Sequence, residues 1–527
     1  MQRRTFVKSK ENAMKRRDFM KKSGTLVGSA FVSFSLFNKC SSVKKRPNII
    51  YILADDLGYG ELGCYGQKYI KTPYIDQLAK NGLKFTQHYS GSPVCAPSRC
   101  VLLTGKHPGH AYIRGNDEWG QRGDVWSYEK MLQNPKLEGQ RPLSSETVTS
   151  AELLQKAGYK TACIGKWGLG PPMSEGSPNK QGFDYFFGYN CQRWAHTYYP
   201  PFLWENEERC PLNNKFVPLD TKLSEEADPY DLETYSDFCL NEYAPDLMVE
   251  KALDFIEKNK NNPFFLYFPT TIPHVSLQVP KKYVDMYRDV FGEEEPYLGG
   301  HYFPCRYPKA TYAGMITHLD DQVGEIVQKL KQIGEYENTL IIFTSDNGPT
   351  YTGGADTKFF NSAGIFGEER GRGKGFTYEG GLRIPMIASW PGQIRPGITT
   401  DHISAFWDVL PTLCEVGGAR TPEDIDGISF VPTLTGRDRQ EQHNFLYWEF
   451  PGYNGQQAVR MGRWKAIRKD ILKGNMKVEL YNLENDPNEE NDISDSNPEI
   501  IERIEQIMKN QHTPSEIKRF KFPQLGD

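Results

Sequence analysis

The sequence lacks several features that would place it quickly in a functional class. Its 527 residues carry a formal net charge of −4, so no basic excess indicates a nucleic acid partner. The ten cysteines include no Cys-x-x-Cys pair, and their spacing neither requires nor excludes disulfides. Only ten histidines are present, which disfavours a metal site built mainly from imidazole rings. We therefore predict a globular protein that does not bind nucleic acid.

Long apolar runs are also missing after the first 45 residues, so we predict no transmembrane helix in the mature chain. Residues 15–21 (KRRDFMK) precede a short apolar stretch at residues 24–37, as in an export signal. The Arg-Arg-x-Phe-x-Lys pattern resembles a twin-arginine signal. Cys40 is a candidate for lipidation, although Lys39 is unusual before a lipidated cysteine, and an ordinary cleaved signal is the alternative. We predict that residues 1–45 engage the export machinery and that the mature chain is periplasmic or lipid-anchored at the cell surface.

Alternating strand and helix patterns indicate the fold class. Residues 48–53 and 339–344 are apolar at nearly every position, which is typical of strands buried on both faces of a parallel sheet. Helical patterns cover residues 72–81, 149–158 and 312–333. Strands that alternate with helices predict a doubly wound α/β domain.

Polar residues come shortly after each of the two strand patterns. Asp55 and Asp56 come directly after the first run, and Asp346 and Asn347 follow the second. In doubly wound sheets, ligands bind at the carboxyl ends of the strands. We therefore expect these four side chains to meet at one site.

Three further apolar runs bring candidate groups to the same edge. Lys166 follows residues 161–164, His274 follows residues 264–268, and Lys374 precedes residues 384–388. Taken one at a time, each has an ordinary structural interpretation, such as a solvated charge or a loop histidine. Only their joint occurrence in order along the chain indicates a site.

A cysteine motif supplies the most specific signal. Residues 95–99 read CAPSR, and residues 103–105 read LTG. The spacing from Cys95 to Arg99 is too short for a loop whose backbone amides surround a phosphate. Pairing with Cys100, or a shared metal, would usually involve closer cysteines with a second pair elsewhere. Neither alternative finds support in the spacing, so the role of Cys95 depends on the context that the rest of the chain supplies.

From Arg46 to its end the chain resembles the type I sulfatases of the alkaline phosphatase superfamily. The motifs that carry the resemblance are residues 48–58, 95–105, 165–167, 273–274, 345–348, 373–375, 379–385 and 480–487. The resemblance implies an α/β fold with a large mixed, mostly parallel sheet sandwiched by helices. It also implies a small C-terminal α+β subdomain with an antiparallel sheet. We place the catalytic domain at residues 46–435 and the subdomain at residues 436–527.

The resemblance further implies a sulfuric ester hydrolase in which a maturation enzyme converts Cys95 to formylglycine (3-oxoalanine). One hydroxyl of the hydrated aldehyde attacks sulfur, and the other collapses to the aldehyde and expels sulfate. Hard oxygen ligands suit Ca²⁺. The implied metal ligands are Asp55, Asp56, Cys95, Asp346 and Asn347.

The remaining site residues receive roles by the same resemblance. Arg99 steadies the nucleophile and the metal-site charges, and Lys166 and Lys374 contact the sulfate oxygens. His274 or Lys374 protonates the leaving alkoxide, and His274 is favoured because an imidazole holds a transferable proton near neutral pH. Together with the predicted export and the aromatic content, the resemblance suggests a sulfated carbohydrate with galactose or N-acetylgalactosamine units.

One position departs from the family pattern. Many relatives have a histidine where this chain has Gly168. His196, in an aromatic segment, is a candidate for its role and for substrate binding, with a packed loop histidine as the alternative. His318 is expected on the surface of a helix. The alternative function is a phosphate monoester or diester hydrolase of the same superfamily, which would generally use serine or threonine instead of Cys95.

Overall fold

The computed structural model describes residues 46–367 and 371–527. The predicted export signal at residues 1–45, including Cys40, lies outside the described residues. Among those residues, the strands form a large mixed sheet and a small antiparallel one. The strands of the large sheet are β1 (Asn48–Ala54), β2 (Leu83–Tyr89), β3 (Lys160–Lys166), β4 (Tyr185–Tyr189), β5 (Phe202–Glu205), β6 (Glu208–Pro211), β7 (Phe264–Pro269), β8 (Thr339–Ser345), β9 (Arg383–Ser389), β10 (Ile398–Thr400) and β11 (Ser404–Ala405).

The large sheet has the order β10-β2-β9-β8-β1-β7-β3-β4-β5-β6, with β11 paired to β2. Its centre is parallel, because β1 pairs in parallel with both β7 and β8, and β3 pairs in parallel with β7 and β4. Strand β9 runs antiparallel to β8 and β2. The predicted mixed, mostly parallel sheet is confirmed.

Helices cover this sheet and account for its apolar strands. Every residue of β1, β7 and β8 is buried, so both faces of the central sheet are packed. The helices are α1 (Pro73–Lys80), α2 (Cys95–Thr104), α3 (Tyr128–Gln133), α4 (Ser150–Lys156), α5 (Ala244–Asn259), α6 (Lys281–Asp285), α7 (Arg288–Phe291), α8 (Pro308–Gln332), α9 (Thr357–Phe360), α10 (Glu379–Leu382), α11 (Val409–Gly417), α12 (Val431–Thr435) and α13 (Pro498–Gln511).

The small sheet follows the large one in the chain. Its antiparallel strands, in the order of the sheet, are β12 (Leu446–Phe450), β13 (Gln456–Met461), β14 (Trp464–Lys469) and β15 (Val478–Asn482). Helix α13 packs on this sheet. Leu446, Trp448 and Ile467 also join the core of the large sheet, and the Trp448 indole donates to the Ser90 carbonyl at 2.9 Å. The boundary near residue 436 remains a prediction.

His318 corrects one expectation. It lies inside α8, only 3% exposed, with Tyr243 and Tyr283 edge-on to its ring. Its Nε2 is 2.6 Å from Asp246 Oδ1. The face of α8 that carries His318 packs against α5 and α6, so the position is interior and not at the helix surface.

Within the described ranges, no helix combines the length and the apolar character needed to span a membrane.

Candidate active site

The predicted site residues meet at one edge of the large sheet. Leu53 pairs with Pro269 across β1 and β7, and Ala54 pairs with Ser345 across β1 and β8. The three parallel strands therefore end side by side. The residues after them are Asp55 and Asp56, His274, and Asp346 and Asn347. Lys374 reaches the same edge because β9 is antiparallel and begins where its neighbours end.

Cys95 is the first residue of α2, and the helix directs it at the end of β1. All ten residues of α2 are buried, and Gly105, with φ of 70°, ends the helix in the left-handed conformation that favours glycine. The Cys95 thiol lies 3.6 Å from Asp55 Oδ1. Burial raises the pKa of this thiol to about 12, so the unmodified side chain is a neutral thiol and a weak nucleophile.

Arg99 lies one helical turn after Cys95, on the same face of α2. Its guanidinium donates to Asp346 Oδ2 from Nε at 3.1 Å and from Nη2 at 2.8 Å. Nη2 also lies 3.4 Å from Asp55 Oδ2, and Nη1 donates to the Lys166 carbonyl at 2.5 Å. One side chain thus ties helix α2 to β3 and to the residues that follow β1 and β8.

Two lysines pair with the aspartates. Lys166 Nζ lies 2.5 Å from Asp55 Oδ2, and both side chains are buried. Lys374 Nζ lies 2.6 Å from Asp56 Oδ2 and is 18% exposed. Burial alone would raise the pKa of Asp55, but the positive charges of Lys166, Arg99 and Lys374 lower it well below its usual range.

For the other two carboxyl groups, Asp56 and Asp346, nearby positive charge does not fully offset the effect of burial on the pKa. Burial raises the pKa of Asp56, although Lys374 opposes the shift. Burial and the nearby Asp55 charge raise the pKa of Asp346 to about 7 against the pull of Arg99. Additional positive charge at this place would therefore stabilise both ionised forms.

The donor set fits a hard divalent cation. Ligand atoms of Asp55, Asp56, Cys95 and His274 all lie within 4.8 Å of one another. Asn347 Nδ2 donates to Asp56 Oδ1 at 2.8 Å, while its buried Oδ1 has no hydrogen-bond partner among the described residues. A buried acceptor without a partner beside two carboxylates is what an oxygen-ligated cation would satisfy.

Asp346 belongs to the same group but is engaged on both oxygens. Its Oδ1 accepts the Asp56 backbone N–H at 3.1 Å, and its Oδ2 accepts from Arg99. All five predicted ligands thus lie close together, because Asp346 and Asn347 both contact Asp56. His274 is a sixth candidate, since its ligand atom lies within 4.8 Å of those of Asp55, Asp56 and Cys95.

The two predicted histidines stack in this site. The rings of His196 and His274 are 4.7 Å apart and inclined by 7°, and Tyr302 packs edge-on against both. His274 Nε2 lies 3.5 Å from Asp56 Oδ2, and Nδ1 donates to the Val275 carbonyl.

Both histidines are neutral in this environment. Burial, and then the positive charge of Lys374 and Lys166, lowers the pKa of His274 well below its usual value. Burial, and then the positive charge of Lys166 and Lys374, does the same to the pKa of His196. Because Nδ1 of His274 carries the proton donated to Val275, Nε2 presents a lone pair. The role of His274 as an acid stays a prediction.

The side chain that fills the space beside Gly168 is Gln192. Gly168 has φ of 76°, and a Cβ there would lie 2.9 Å from both Cγ and Nε2 of Gln192. Glycine is thus required by its backbone conformation and by close packing. Sequence reasoning missed Gln192 because no motif contains it.

A cleft of about 460 Å³ opens above Cys95. His196, His274, Lys374 and Gln192 line it together with Cys95. A second wall, which no sequence motif indicates, comes from the C-terminal part of the chain. That wall consists of Phe450, Pro451, Gly452, Tyr453, Arg519 and Phe520.

Comparison with known proteins places this chain in a family. A protein-family model described as Sulfatase matches residues 47–419. The chain belongs to the sulfatase family. A second model, described as N-sulphoglucosamine sulphohydrolase, C-terminal, matches residues 367–515 of this sulfatase.

Curated relatives support the assignment over nearly the whole chain. Arylsulfatase A of Homo sapiens is 33% identical, with 92% of this chain and 93% of the relative covered. N-acetylgalactosamine-6-O-sulfatase of Bacteroides thetaiotaomicron is 30% identical, with 89% and 94% covered. The crystal structure of Ps i-CgsB has a TM-score of 0.69 and 27% identity, covering 89% of this chain and 94% of that one. The protein is a type I sulfatase of the alkaline phosphatase superfamily and a sulfuric ester hydrolase.

Proposed function

We propose that this sulfatase removes sulfate from carbohydrates that contain galactose or N-acetylgalactosamine units, using a formylglycine made from Cys95 and a bound calcium ion. The carbohydrate assignment rests on the residues that line the cleft. Aromatic rings, cations and polar side chains line it together with Cys95. Aromatic rings stack on sugar faces, whereas cations attract sulfate.

Two relatives support this substrate class by their own properties. One relative is an N-acetylgalactosamine-6-O-sulfatase, and Ps i-CgsB has been solved in complex with k-i-k-neocarrahexaose. An apolar steroid would make poorer use of Lys374 and Arg519, which lie on the cleft with Asn116 and Gln192.

The charges of the site favour binding of a sulfate ester. Asp55, Asp56 and Asp346 contribute three negative charges, and three basic side chains oppose them: Arg99, Lys166 and Lys374. A divalent cation would leave two net positive charges to receive the anionic ester. Lys166 and Lys374 are proposed to reach the sulfate oxygens as the ester replaces part of their pairing with Asp55 and Asp56.

Asp55, Asp56, Asp346 and Asn347 would hold calcium, with position 95 as the fifth ligand. When bound, the ion supplies a positive charge that orients the sulfate and favours an ionised nucleophile. The formylglycine hydrate supplies one hydroxyl to attack sulfur and a second whose ionisation releases sulfate.

His274 is the proposed acid for the leaving oxygen, with Lys374 as the other candidate. Nε2 of His274 points at Asp56 and lines the cleft. An anionic ester beside the ring would raise the pKa of the imidazole and favour its protonation. A pH profile of kcat that loses its basic limb in His274→Ala supports this role. An unchanged profile assigns the proton to Lys374 instead.

Maturation must precede folding in this proposal. Cys95 is only 2% exposed, so a modifying enzyme could not reach it in the folded chain. We propose that a maturation enzyme acts on the extended chain and that residues 1–45 direct export to the periplasm or to a lipid anchor.

Two experiments test the proposal in sequence. Mass spectrometry of the peptide around Cys95, after expression with a maturation enzyme, is expected to show the lower mass of the aldehyde. A panel of sulfated and phosphorylated monosaccharides is then expected to show sulfate release. An unmodified cysteine in an active enzyme contradicts the nucleophile, and preferred release of phosphate supports the alternative hydrolase.

A further inference from the structure

Gln192 is a buried amide whose donor has no partner. Its side chain is 4% exposed, and no described residue accepts a hydrogen bond from Nε2. Buried polar groups are nearly always hydrogen-bonded, because an unsatisfied donor loses its water without a replacement. The same side chain lines the cleft that contains Cys95. A ligand oxygen that approached this amide from the cleft would satisfy its unpaired donor.

The backbone holds Gln192 beside the charged residues. Trp167 N–H donates to the Tyr189 carbonyl at 2.9 Å, and Gly168 N–H donates to the Asn190 carbonyl at 3.1 Å. These bonds extend the parallel pairing of β3 and β4 beyond Lys166, whose Nζ contacts Asp55. The Gln192 carbonyl accepts from Ala195 N–H at 3.1 Å. The loop that carries Gln192 is therefore fixed against the strand that carries Lys166.

Gly168 makes room for this arrangement. Any Cβ at residue 168 would lie 2.9 Å from Gln192 Nε2, closer than side-chain atoms normally approach. The positive φ of Gly168 also disfavours other residues there. Residues 168 and 192 thus act as a pair, with a missing side chain at one and an amide at the other.

We infer that Gln192 is a substrate-contacting residue whose Nε2 donates to an oxygen of the bound sulfate ester. The inference rests on the proposed function, because it assumes that the sulfate group enters this cleft. A neutral donor adds a directed hydrogen bond to an anion without adding charge to the lysines already present. Gly168 serves as a positioning residue that keeps the amide over the end of β3.

The test compares Gln192→Leu with the wild-type enzyme, both matured and loaded with calcium. Binding of inorganic sulfate is measured by calorimetry, and kcat and KM are measured on a sulfated sugar that the wild type hydrolyses. We expect sulfate binding and kcat/KM to weaken about 10- to 100-fold, the range for a hydrogen bond to a charged group. Gln192→Glu is expected to weaken both further, because a carboxylate repels the anion. Gly168→Ala should lower both by displacing the amide.

Gln322→Leu is the matched control. Gln322 is an equally buried glutamine, but its Nε2 donates to the Pro245 carbonyl and it lies in α8, away from the cleft. We expect it to keep wild-type sulfate affinity and kcat/KM even if its Tm falls.

The outcomes separate this inference from the proposed function. Wild-type sulfate affinity and kcat/KM in Gln192→Leu overturn the role of Gln192 and leave the hydrolase intact. Equal losses in Gln192→Leu and Gln322→Leu, both following Tm, also overturn it. A matured wild type that hydrolyses no sulfate ester contradicts the proposed function instead, while sulfate binding still tests Gln192.

Discussion

Two clusters of buried charge in this protein have similar compositions but different degrees of compensation. The site cluster consists of Asp55, Asp56, Asp346, Arg99, Lys166 and Lys374. The inter-sheet cluster consists of Glu379, Glu489, Arg383, Arg460 and Lys465 and joins the large sheet to the small one. Each combines carboxylates with lysine and arginine in the interior.

The inter-sheet cluster surrounds its central carboxylate with protein groups. Glu379 lies 2.9 Å from Lys465 Nζ and 3.1 Å from Arg383 Nη1, and it accepts from the Tyr89 hydroxyl at 2.8 Å. Burial would raise its pKa, but Lys465, Arg383 and Arg460 lower that pKa to about 2. The protein itself therefore keeps Glu379 ionised.

The site cluster leaves part of this compensation to a ligand. The pKa values of Asp56 and Asp346 are raised, and Asn347 Oδ1 has no partner among the described residues. The cluster also borders a cleft, whereas Glu379 and Lys465 are both fully buried. Protein groups alone thus keep the central carboxylate of the inter-sheet cluster ionised, whereas Asp56 and Asp346 of the site cluster need a ligand for this.

The largest expected effect comes from removing Cys95, the proposed precursor of the nucleophile. Cys95→Ala should lower kcat/KM by at least about 10⁴-fold, the order expected when a catalytic nucleophile is lost. The Tm should change little, because the thiol has no strong structural partner. Cys100→Ala, a buried cysteine five positions along the same helix, is the control and should remain active. Comparable activity in Cys95→Ala and Cys100→Ala would remove Cys95 from the mechanism.

Next in size is the loss of the central carboxylate of the inter-sheet cluster. Glu379→Gln leaves Lys465 and Arg383 buried without their main partner, which should lower the free energy of unfolding by about 3–5 kcal/mol. Chemical denaturation measures the change. Glu484→Gln, on an exposed pair with Arg463, should cost less than about 1 kcal/mol. If Glu379→Gln kept wild-type stability, the structural role of this cluster would be wrong.

A smaller effect should come from calcium, which we expect to stabilise the protein through the site cluster. Calcium at 100 times its Kd should stabilise the wild type by about 2.7 kcal/mol and raise its Tm. Asp56→Asn should lose this response, whereas Asp424→Asn, at an exposed carboxylate, should keep it. Thermal unfolding with and without calcium measures both. An undiminished response in Asp56→Asn would place the ion elsewhere.

The smallest effect concerns the pH dependence of the inter-sheet cluster. Burial raises the pKa of Glu489 from its usual value of 4.5 to about 7, with Lys465 opposing the shift. The folded state therefore holds a proton that the unfolded state has released, so this contribution is full below pH 4.5 and is lost as pH rises through about 7. The Tm advantage of the wild type over Glu489→Gln should shrink between pH 5 and about pH 8. A constant difference would contradict the raised pKa.

Local patterns were sufficient to predict much of the fold. The run at residues 48–53 became β1, and the run at residues 339–344 became β8, each extended by one residue. Fully apolar strands identify the centre of a sheet because both faces are buried there. Helix α8 begins at Pro308, four residues before the predicted start, because proline is favoured in the first turn of a helix.

Other features depend on packing between distant segments. The antiparallel direction of β9 and the buried position of His318 follow from neighbours far away in sequence. The cleft wall from Phe450 to Tyr453 also carries no motif, because a substrate wall needs only shape and surface chemistry. Gln192 stayed invisible for the same reason, and it became identifiable only through its contact with Gly168.

By itself, the sequence determined the family, the central strands and the set of charged residues that follow them. These were readable because catalysis requires specific residue types, and strand ends place them at one edge of the sheet. Only the tertiary structure decided how these charges are paired, which polar atoms lack partners and what surrounds Cys95. Pairing, burial and pKa depend on distances between groups hundreds of residues apart, and no local pattern encodes those distances.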